Sequence, residues 1–291
     1  MSIKSILLSL LPFSWASFTR PPPLIASLPS HLVPTHANNR RLIIIGDIHG
    51  MHTSLHTLLS SLNFSPETDH IIAAGDMVNK GNHSPEVVDT LMGYNASAVR
   101  GNHEDNVLHM RNKAARRTKK QLSRKQLRWL AELPVILNID ELAMYVVHAG
   151  MVPGVKPEKQ DPWAVMNMRT LVYPTQELRR RYSEDGSVAN DEELEDDDEV
   201  DVMDVPVPTD GREGTKWNTA WNKRQNRQKK PTRRTIVYGH DAKRGLVLGD
   251  YTFGLDSGCV RGGDLTAMIV KGTKDGDWKY KIHQIPCKKE K

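Results

Sequence analysis

The chain has almost no cysteine: Cys259 and Cys287 are the two among 291 residues. So low a count excludes a framework of several disulfides and leaves the redox compartment open. Apolar residues are also few, at 38%, so part of the chain is expected to lie outside a core. Long uninterrupted apolar runs are missing. The nearest to one, MSIKSILLSLLPFSWASF, holds a lysine and is broken by Ser9, Pro12 and Ser14. It is too short for a dependable bilayer span, and it suits a weak signal or transit segment or an arm that is disordered or packed on the surface. Residues 1–39, ending in proline-rich sequence, are therefore expected to be a leader outside the main domain, residues 40–291.

Basic residues are wholly absent from one segment. Glu184–Asp204 carries 12 Asp or Glu residues and no Lys or Arg, so it repels itself and is expected to be disordered. Without those 12 charges the formal net charge rises from +5 to +17. A body this basic favours polyanionic partners through steering and counterion release; the alternative is a positive surface serving solubility or membrane association. A basic stretch follows the acidic one, so residues 184–234 read as a disordered insertion, acidic then basic. Within it, Trp217 and Trp221 stand one helical turn apart and predict a short helix packed at the edge of a cleft. The charge contrast leads to the expectation that the acidic segment folds over the basic cleft and competes with substrate.

Five short apolar runs, in contrast, end in the same kind of chemistry. Leu42–Ile45 meets Gly46, Asp47 and His49; His70–Ala74 meets Gly75 and Asp76; Ala96–Val99 meets Arg100, Gly101, Asn102, His103 and Glu104. Ala143–Val147 meets His148, and Thr235–Tyr238 meets Gly239 and His240. Continuous runs of this kind suit strands buried on both faces. Loops at the carboxyl ends of strands are where α/β sheets build sites. Carboxylate, amide oxygen and imidazole, without thiolate, suit hard to borderline divalent ions. Six such donors are too many for one tetrahedral ion and fit two ions sharing a carboxylate.

In this order, LIIIGDIHG, GDMVNKG, VRGNHE, VVHAG and YGHDA resemble the five signature blocks of the calcineurin-like metallophosphoesterases. The resemblance runs from about Arg41 to Val270. GDMVNKG, YGHDAKRGL and GLDSGCVRGGDLTAM are similar, more narrowly, to the ApaH-like phosphatases, a group that includes fungal endopolyphosphatases and diadenosine tetraphosphatase-like proteins. The resemblance implies an α/β fold, a β-sandwich flanked by helices (αββα) with a dinuclear site at strand C-terminal ends. It implies that Asp47, His49 and Asp76 hold one ion and that Asp76, Asn102, His148 and His240 hold the other. Two divalent ions are implied, from among manganese, zinc, iron and cobalt. His103 is implied as the general acid, assisted by Asn79, and chemistry agrees, since it is the donor left unligated.

The implied reaction is hydrolysis of phosphoanhydride bonds in polyphosphate or nucleotide polyphosphates, by in-line attack of a metal-bridging hydroxide. Lys80 and Arg100 are the nearest cations and, with Asn102, the candidates for holding phosphate oxygens. Protein phosphatases of the superfamily have Asp and Arg where this chain has Asn79 and Lys80. Asn79 is expected to accept a hydrogen bond from His103, and Lys80 lacks the bidentate fork of arginine. Both changes favour polyphosphate-type substrates over the alternative, a Ser/Thr protein phosphatase. A phosphoprotein substrate and membrane association through the N-terminus stay open, as does an RNA end; no stable nucleic-acid partner is expected. Location is cytoplasmic, or vacuolar if the leader is a targeting signal.

Elsewhere, leucine spacing predicts a crossover helix over Ser54–Leu62, and a second helix starts at Ser84-Pro85. An amphipathic helix is expected over Gln121–Leu133, preceded by the basic run Arg111–Arg124. Asp161–Met166 reads as a helical cap with Trp163 in the core. Leu265–Val270 and Trp278–Ile285 predict two closing antiparallel strands. Cys259 is expected to be a small packed residue rather than a nucleophile.

Overall fold

The computed structural model describes residues 21–173 and 206–289. The apolar N-terminal run and the acidic stretch 184–204 fall outside these residues.

Two sheets pack face to face. One has five strands in the order β14-β13-β2-β3-β4, with β2 at Arg41–Ile45, β3 at Asp69–Ala73, β4 at Ser97–Ala98, β13 at Asp264–Gly272 and β14 at Trp278–Pro286. The other has six, β1-β5-β6-β10-β12-β11, from β1 (Ile25–Ser27), β5 (Ile136–Ile139), β6 (Met144–Val147), β10 (Thr235–Tyr238), β11 (Val247–Leu248) and β12 (Thr252–Gly254). β2, β3 and β4 run parallel, as do β6 and β10. The two closing strands are antiparallel as expected.

Alternation explains why the inner strands are apolar without interruption. Leu42 and Ile44 of β2 pack with Met144, Val146 and Val237 of the opposite sheet. Their neighbours Ile43 and Ile45 pack outward against helices α1 (His52–Ser61) and α2 (Ser84–Gly93). On the far side, Val147 and Ile236 pack against Trp217 and Trp221. Each inner strand therefore has helices on one face and the other sheet on its other face, giving the αββα layering.

Several local expectations are revised. Part of the supposed leader belongs to the domain: β1 pairs in parallel with β5, and Leu28 and Val33 are buried in the inter-sheet core. The basic half of the insertion is ordered where described. β8 (Val207–Thr209) and β9 (Thr215–Lys216) flank β7 (Thr170–Val172) in a small third sheet. The helix expected at Trp217 and Trp221 spans Trp217–Arg227 and is here α7. Both indoles are buried, so they serve as packing rather than as stacking platforms.

The helix expected over Gln121–Leu133 is two helices, α4 (Lys113–Gln121) and α5 (Arg124–Glu132). Ser123 separates them because its hydroxyl caps α5 and Gln126 returns a bond to the Ser123 amide, a capping box that makes Ser123 a start signal. α3 (Asn102–His109) and α6 (Pro162–Asn167) complete the helices used below. Trp163 is 44% exposed and not core, because it occupies the first turn of the short α6. Cys259 is packed, and it is also bonded to Cys287 in a disulfide that ties the loop after β12 to the end of β14. No helix among the described residues is long and apolar enough to cross a membrane.

Candidate dinuclear metal centre

All five strand ends emerge at one edge of the sandwich, three from one sheet and two from the other. Their loops interlock. Ile48 and His49 donate backbone N–H groups to the Asp76 carbonyl, Gly50 donates to Met77, and Gly81 donates back to His49. The left-handed backbone region holds His49 (φ 48°), Asp76 (51°), Asn79 (70°), Lys80 (70°) and His240 (75°). None of these is glycine, so each stores on the order of 1–3 kcal/mol of strain. Strain gathered on the loops that carry the ligand-type side chains marks where the fold sacrifices stability for geometry.

The side chains converge on Asp76. His49 Nε2 lies 3.5 Å from Asp76 Oδ2 and 3.6 Å from Asp47 Oδ2, and His148 Nε2 lies 3.3 Å from Asp76 Oδ1. The Asn102 carboxamide sits 3.1 Å from His148 Nε2 and within 3.3 Å of both Asp76 oxygens. His240 Nδ1 stands 3.2 Å from His148 Nε2, and its backbone N–H donates to Asp47 Oδ1 at 3.0 Å. Asp47, His49, Asp76 and His148 are buried.

Each of the three histidines has a fixed tautomer. His49 Nδ1 reaches Val78 O at 3.2 Å, His148 Nδ1 reaches Ala74 O at 2.9 Å, and His240 Nε2 reaches Asn167 O at 2.9 Å. A carbonyl only accepts, so those nitrogens carry hydrogen and the other nitrogen of each ring turns inward, bearing a lone pair whenever the ring is neutral. Metal-ligating histidines are oriented in this way.

Inside the cluster, acceptors outnumber donors, and a cation is what the donor set lacks. The Lys80 ammonium reaches into the gap and donates to His49 Nε2 at 2.6 Å, a positive charge standing where an ion would. Burial disfavours a charged His148, yet Asp76 and Asp47 reverse this and hold it up at about 10. Burial pushes His49 down to about 3 and also holds His240 well below the usual imidazole range, with His148 adding repulsion. Asp47 is raised by burial and by the neighbouring Asp256 carboxylate. The cluster is chemically suited to divalent ions: donor groups within 4.8 Å of one another are His49, Asp76 and His103 on one side and Asp47, Asp76 and His148 on the other, which pairs Asp47 with His148 and includes His103.

His103 sits beside the cluster, its Nε2 3.9 Å from Asp76 Oδ2 and its ring edge-on to His49. Asn79 holds it differently from expectation. Asn79 Oδ1 is already engaged by the Lys80 amide and the Thr118 hydroxyl, so it is Nδ2 that faces His103 Nδ1 at 3.0 Å. Asn79 donates instead of accepting, and the ring proton of neutral His103 is placed on Nε2, toward the cluster. Burial lowers the His103 pKa, with Asp76 opposing.

Of the two expected phosphate cations, Lys80 is at the centre and Arg100 is not. Arg100 is 1% exposed, with its guanidinium turned to Ala131 O and Asp105. It braces α5 and is turned away from the cluster. Arg169, which the sequence reading passed over, is close enough to His240 to depress its pKa and leaves its buried Nε–H without a partner.

Two carboxylates were also missed. Glu104 is fully buried and accepts backbone N–H bonds from Asp76, Met77, Val78 and Gly101, fixing the shape of the Asp76 loop. Its pKa rises to about 7 through burial and the Asp76 charge. Asp256 is buried against Asp47, and its own pKa is raised, chiefly by burial. Both lay within the quoted blocks GNHE and GLDSGC, whose histidine and cysteine drew the attention instead.

A layered αββα sandwich with two carboxylates, an amide and three inward-facing histidines at one edge defines a metal-dependent hydrolase of phosphate esters or anhydrides. Residues 40–244 match the calcineurin-like phosphoesterase family, and the chain belongs to it. Among curated relatives, the symmetrical bis(5'-nucleosyl)-tetraphosphatase of Vibrio parahaemolyticus is 28% identical over 77% of this chain and 93% of its own length. The zinc-dependent endopolyphosphatase of Saccharomyces cerevisiae is 24% identical over 86% of this chain and 82% of its own. A crystal structure assigned as a diadenosine tetraphosphatase superposes with TM-score 0.67 at 27% identity, covering 90% of this chain and 97% of that one. A serine/threonine phosphatase from Saccharomyces cerevisiae, at TM-score 0.53 and 15% identity over 92% and 85% of the two chains, shares the fold alone.

Proposed function

We propose that this chain hydrolyses phosphoanhydride bonds of polyphosphate or nucleotide polyphosphates at the cluster around Asp76. The observation that carries the reading is the arrangement of His49, His148 and His240, each anchored outward to a backbone carbonyl and turned inward on carboxylates. Asp47, His49 and Asp76 would hold one divalent ion, and Asp76, Asn102, His148 and His240 the second, with Asp76 shared. Bound there, the ions supply an activated water and neutralise phosphate charge.

The chain's own groups do the rest. Asn79 keeps His103 Nε2–H aimed at the cluster, where it can donate a hydrogen bond to the leaving phosphate oxygen; transfer of the proton would require the imidazolium form. The Lys80 ammonium, which donates to His49 Nε2, would serve as a point charge for a phosphate oxygen. Arg169, close enough to His240 to lower its pKa, is a further cation that could hold a phosphate oxygen. A phosphate chain is a good leaving group and can depart without full protonation, so a neutral imidazole backed by an uncharged amide need only donate a hydrogen bond to it. An alkoxide leaving from a phosphoprotein asks more of its acid, and no feature of the site favours that second class.

The test is a substrate panel. Purified chain with manganese, zinc or cobalt is offered long-chain polyphosphate, diadenosine tetraphosphate, capped RNA and a phosphopeptide. Release of phosphate or nucleotide from the first two is expected. Turnover confined to the phosphopeptide would overturn the reading.

A further inference from the structure

The basic run that precedes α5 folds into α4, and its cations divide between two faces. Some are spent inside the fold: Lys119 gives its ammonium to Leu108 O, and Arg111, just before the helix, pairs with Asp105. Lys113, Arg116, Arg117 and Lys120 are exposed and stand at i, i+3, i+4 and i+7 of the helix. Residues at that spacing form one stripe, which here spans roughly 10 Å at about 1.5 Å per residue. Ala115 and Thr118 carry the inward face.

A stripe of this composition opposes the helix that bears it. Lys113–Arg116, Lys113–Arg117, Arg116–Lys120 and Arg117–Lys120 are like-charge pairs between neighbouring turns, and each weakens a helix. α4 has no acidic residue to relieve them, and no carboxylate among the described residues pairs with any of the four. The charge has no use inside the described fold. Its place points to the hydrolytic cluster. Thr118, on the inward face, donates its hydroxyl to Asn79 Oδ1, and Asn79 holds His103. The stripe is therefore about one helix diameter, roughly 10–12 Å, from the amide that positions His103. A bridge of a few phosphates is used up at the cluster, whereas a long chain has many further anions to lay on α4.

We propose that the outer face of α4 is a binding track for long inorganic polyphosphate, anchoring the chain while one of its anhydride bonds lies at the cluster. The proposal rests on the hydrolytic reading above and narrows it from phosphoanhydrides in general to long chains. Ammonium point charges and guanidinium forks suit a continuous anion that carries no bases. Nucleic acid is the poorer fit, because single strands are gripped by aromatic side chains set among the cations, and the helix KAARRTKKQ has none. Binding of this kind releases counterions and weakens with salt.

The variant Lys113→Gln/Arg116→Gln/Arg117→Gln/Lys120→Gln keeps good helix formers and removes the repulsion, so its melting temperature is expected to equal or exceed the parent's. Parent and variant, as full chains with manganese, are compared on long polyphosphate and on diadenosine tetraphosphate. KM for long polyphosphate is expected to rise roughly ten-fold at low salt, with kcat kept and turnover of diadenosine tetraphosphate unaltered. An unchanged KM for long polyphosphate overturns the track, while the hydrolytic reading stands as long as diadenosine tetraphosphate is cleaved. Binding is also read apart from turnover, with labelled polyphosphate and a chelator in the buffer. The variant is expected to bind more weakly, with a salt slope shallower by about 3, from about 0.7 for each charge removed. Equal affinity overturns the track even if neither substrate is hydrolysed. Tighter binding of single-stranded RNA with the same number of phosphates, lost in the same variant, assigns α4 to nucleic acid and overturns it too. Should the variant fold poorly, the amines of the unaltered chain are acetylated and mapped by peptide. Polyphosphate is expected to protect Lys113 and Lys120; labelling that polyphosphate does not change overturns the track.

Discussion

His148 Nε2 and His240 Nδ1 face each other across 3.2 Å, and the opposite nitrogen of each ring is anchored to a backbone carbonyl. Two lone pairs that close need a shared proton or a cation. The Asp76 oxygen 3.3 Å from His148 adds negative charge to the same point. The pair belongs to different strands of one sheet, β6 and β10, so the fold places them there and no local sequence preference does.

Glu104 holds the Asp76 loop through four backbone N–H groups. Glu104→Gln keeps the size but turns an NH2 donor toward backbone donors. It is expected to lower stability by about 2–4 kcal/mol, from lost charge-assisted bonds and stranded N–H groups. Denaturant melts measure the change, and a loss below the error of the melt would refute the bracing role.

Thr118 on α4 fixes the Asn79 amide, whose other end holds His103. Thr118→Val removes one neutral hydrogen bond of about 1 kcal/mol. Turnover should fall roughly five-fold by the same free energy, with KM little changed, because the effect lies on the His103 hydrogen bond to the leaving oxygen and not on binding. A rise in KM at constant kcat would assign Thr118 to substrate binding instead.

Gly150 follows His148 closely, and a Cβ there would enter the indole ring of Trp217. Gly150→Ala is expected to cost about 1–3 kcal/mol, since Trp217 is buried and cannot yield. A melt unchanged from the parent would show that α7 repacks freely.

His70 on β3 is held down to about 4 by burial, with Arg40 and His31 adding repulsion. The unfolded chain binds a proton near pH 6.5 that the folded chain refuses. This contribution to stability is therefore complete above about pH 6.5 and is lost as pH falls toward 4, by roughly 3 kcal/mol in all. His70→Gln, which retains a partner for Ser97, should flatten that acid limb in urea melts taken between pH 7.5 and 4.5. An identical pH dependence in the variant would show that other groups set it.

The strands that build the site were legible because burial on both faces writes them as unbroken apolar runs, each stopped by glycine. The ligand-type side chains at their ends were legible for the same reason, since each sits within four residues beyond a strand. Partners fixed only by tertiary contact were not. The direction of the Asn79 amide depends on Thr118, 39 positions away. Arg100 looked like a loop cation until Ala131 O claimed it. Cys259 and Cys287 meet because the loop after β12 and the end of β14 are brought together by an antiparallel pair. The segment Ile25–Ser27 lacks the length of a strand signal, and it pairs because β5 offers a free edge.

The most direct test of the central claim is the metal content and hydrolytic activity of Asp76→Asn beside the parent chain. Asp76 is the carboxylate both groups of candidate ligands share. The account predicts that the variant, confirmed as folded, loses both ions of the cluster and its release of phosphate from polyphosphate and diadenosine tetraphosphate. A folded variant that keeps the parent's metal content and full turnover would contradict it.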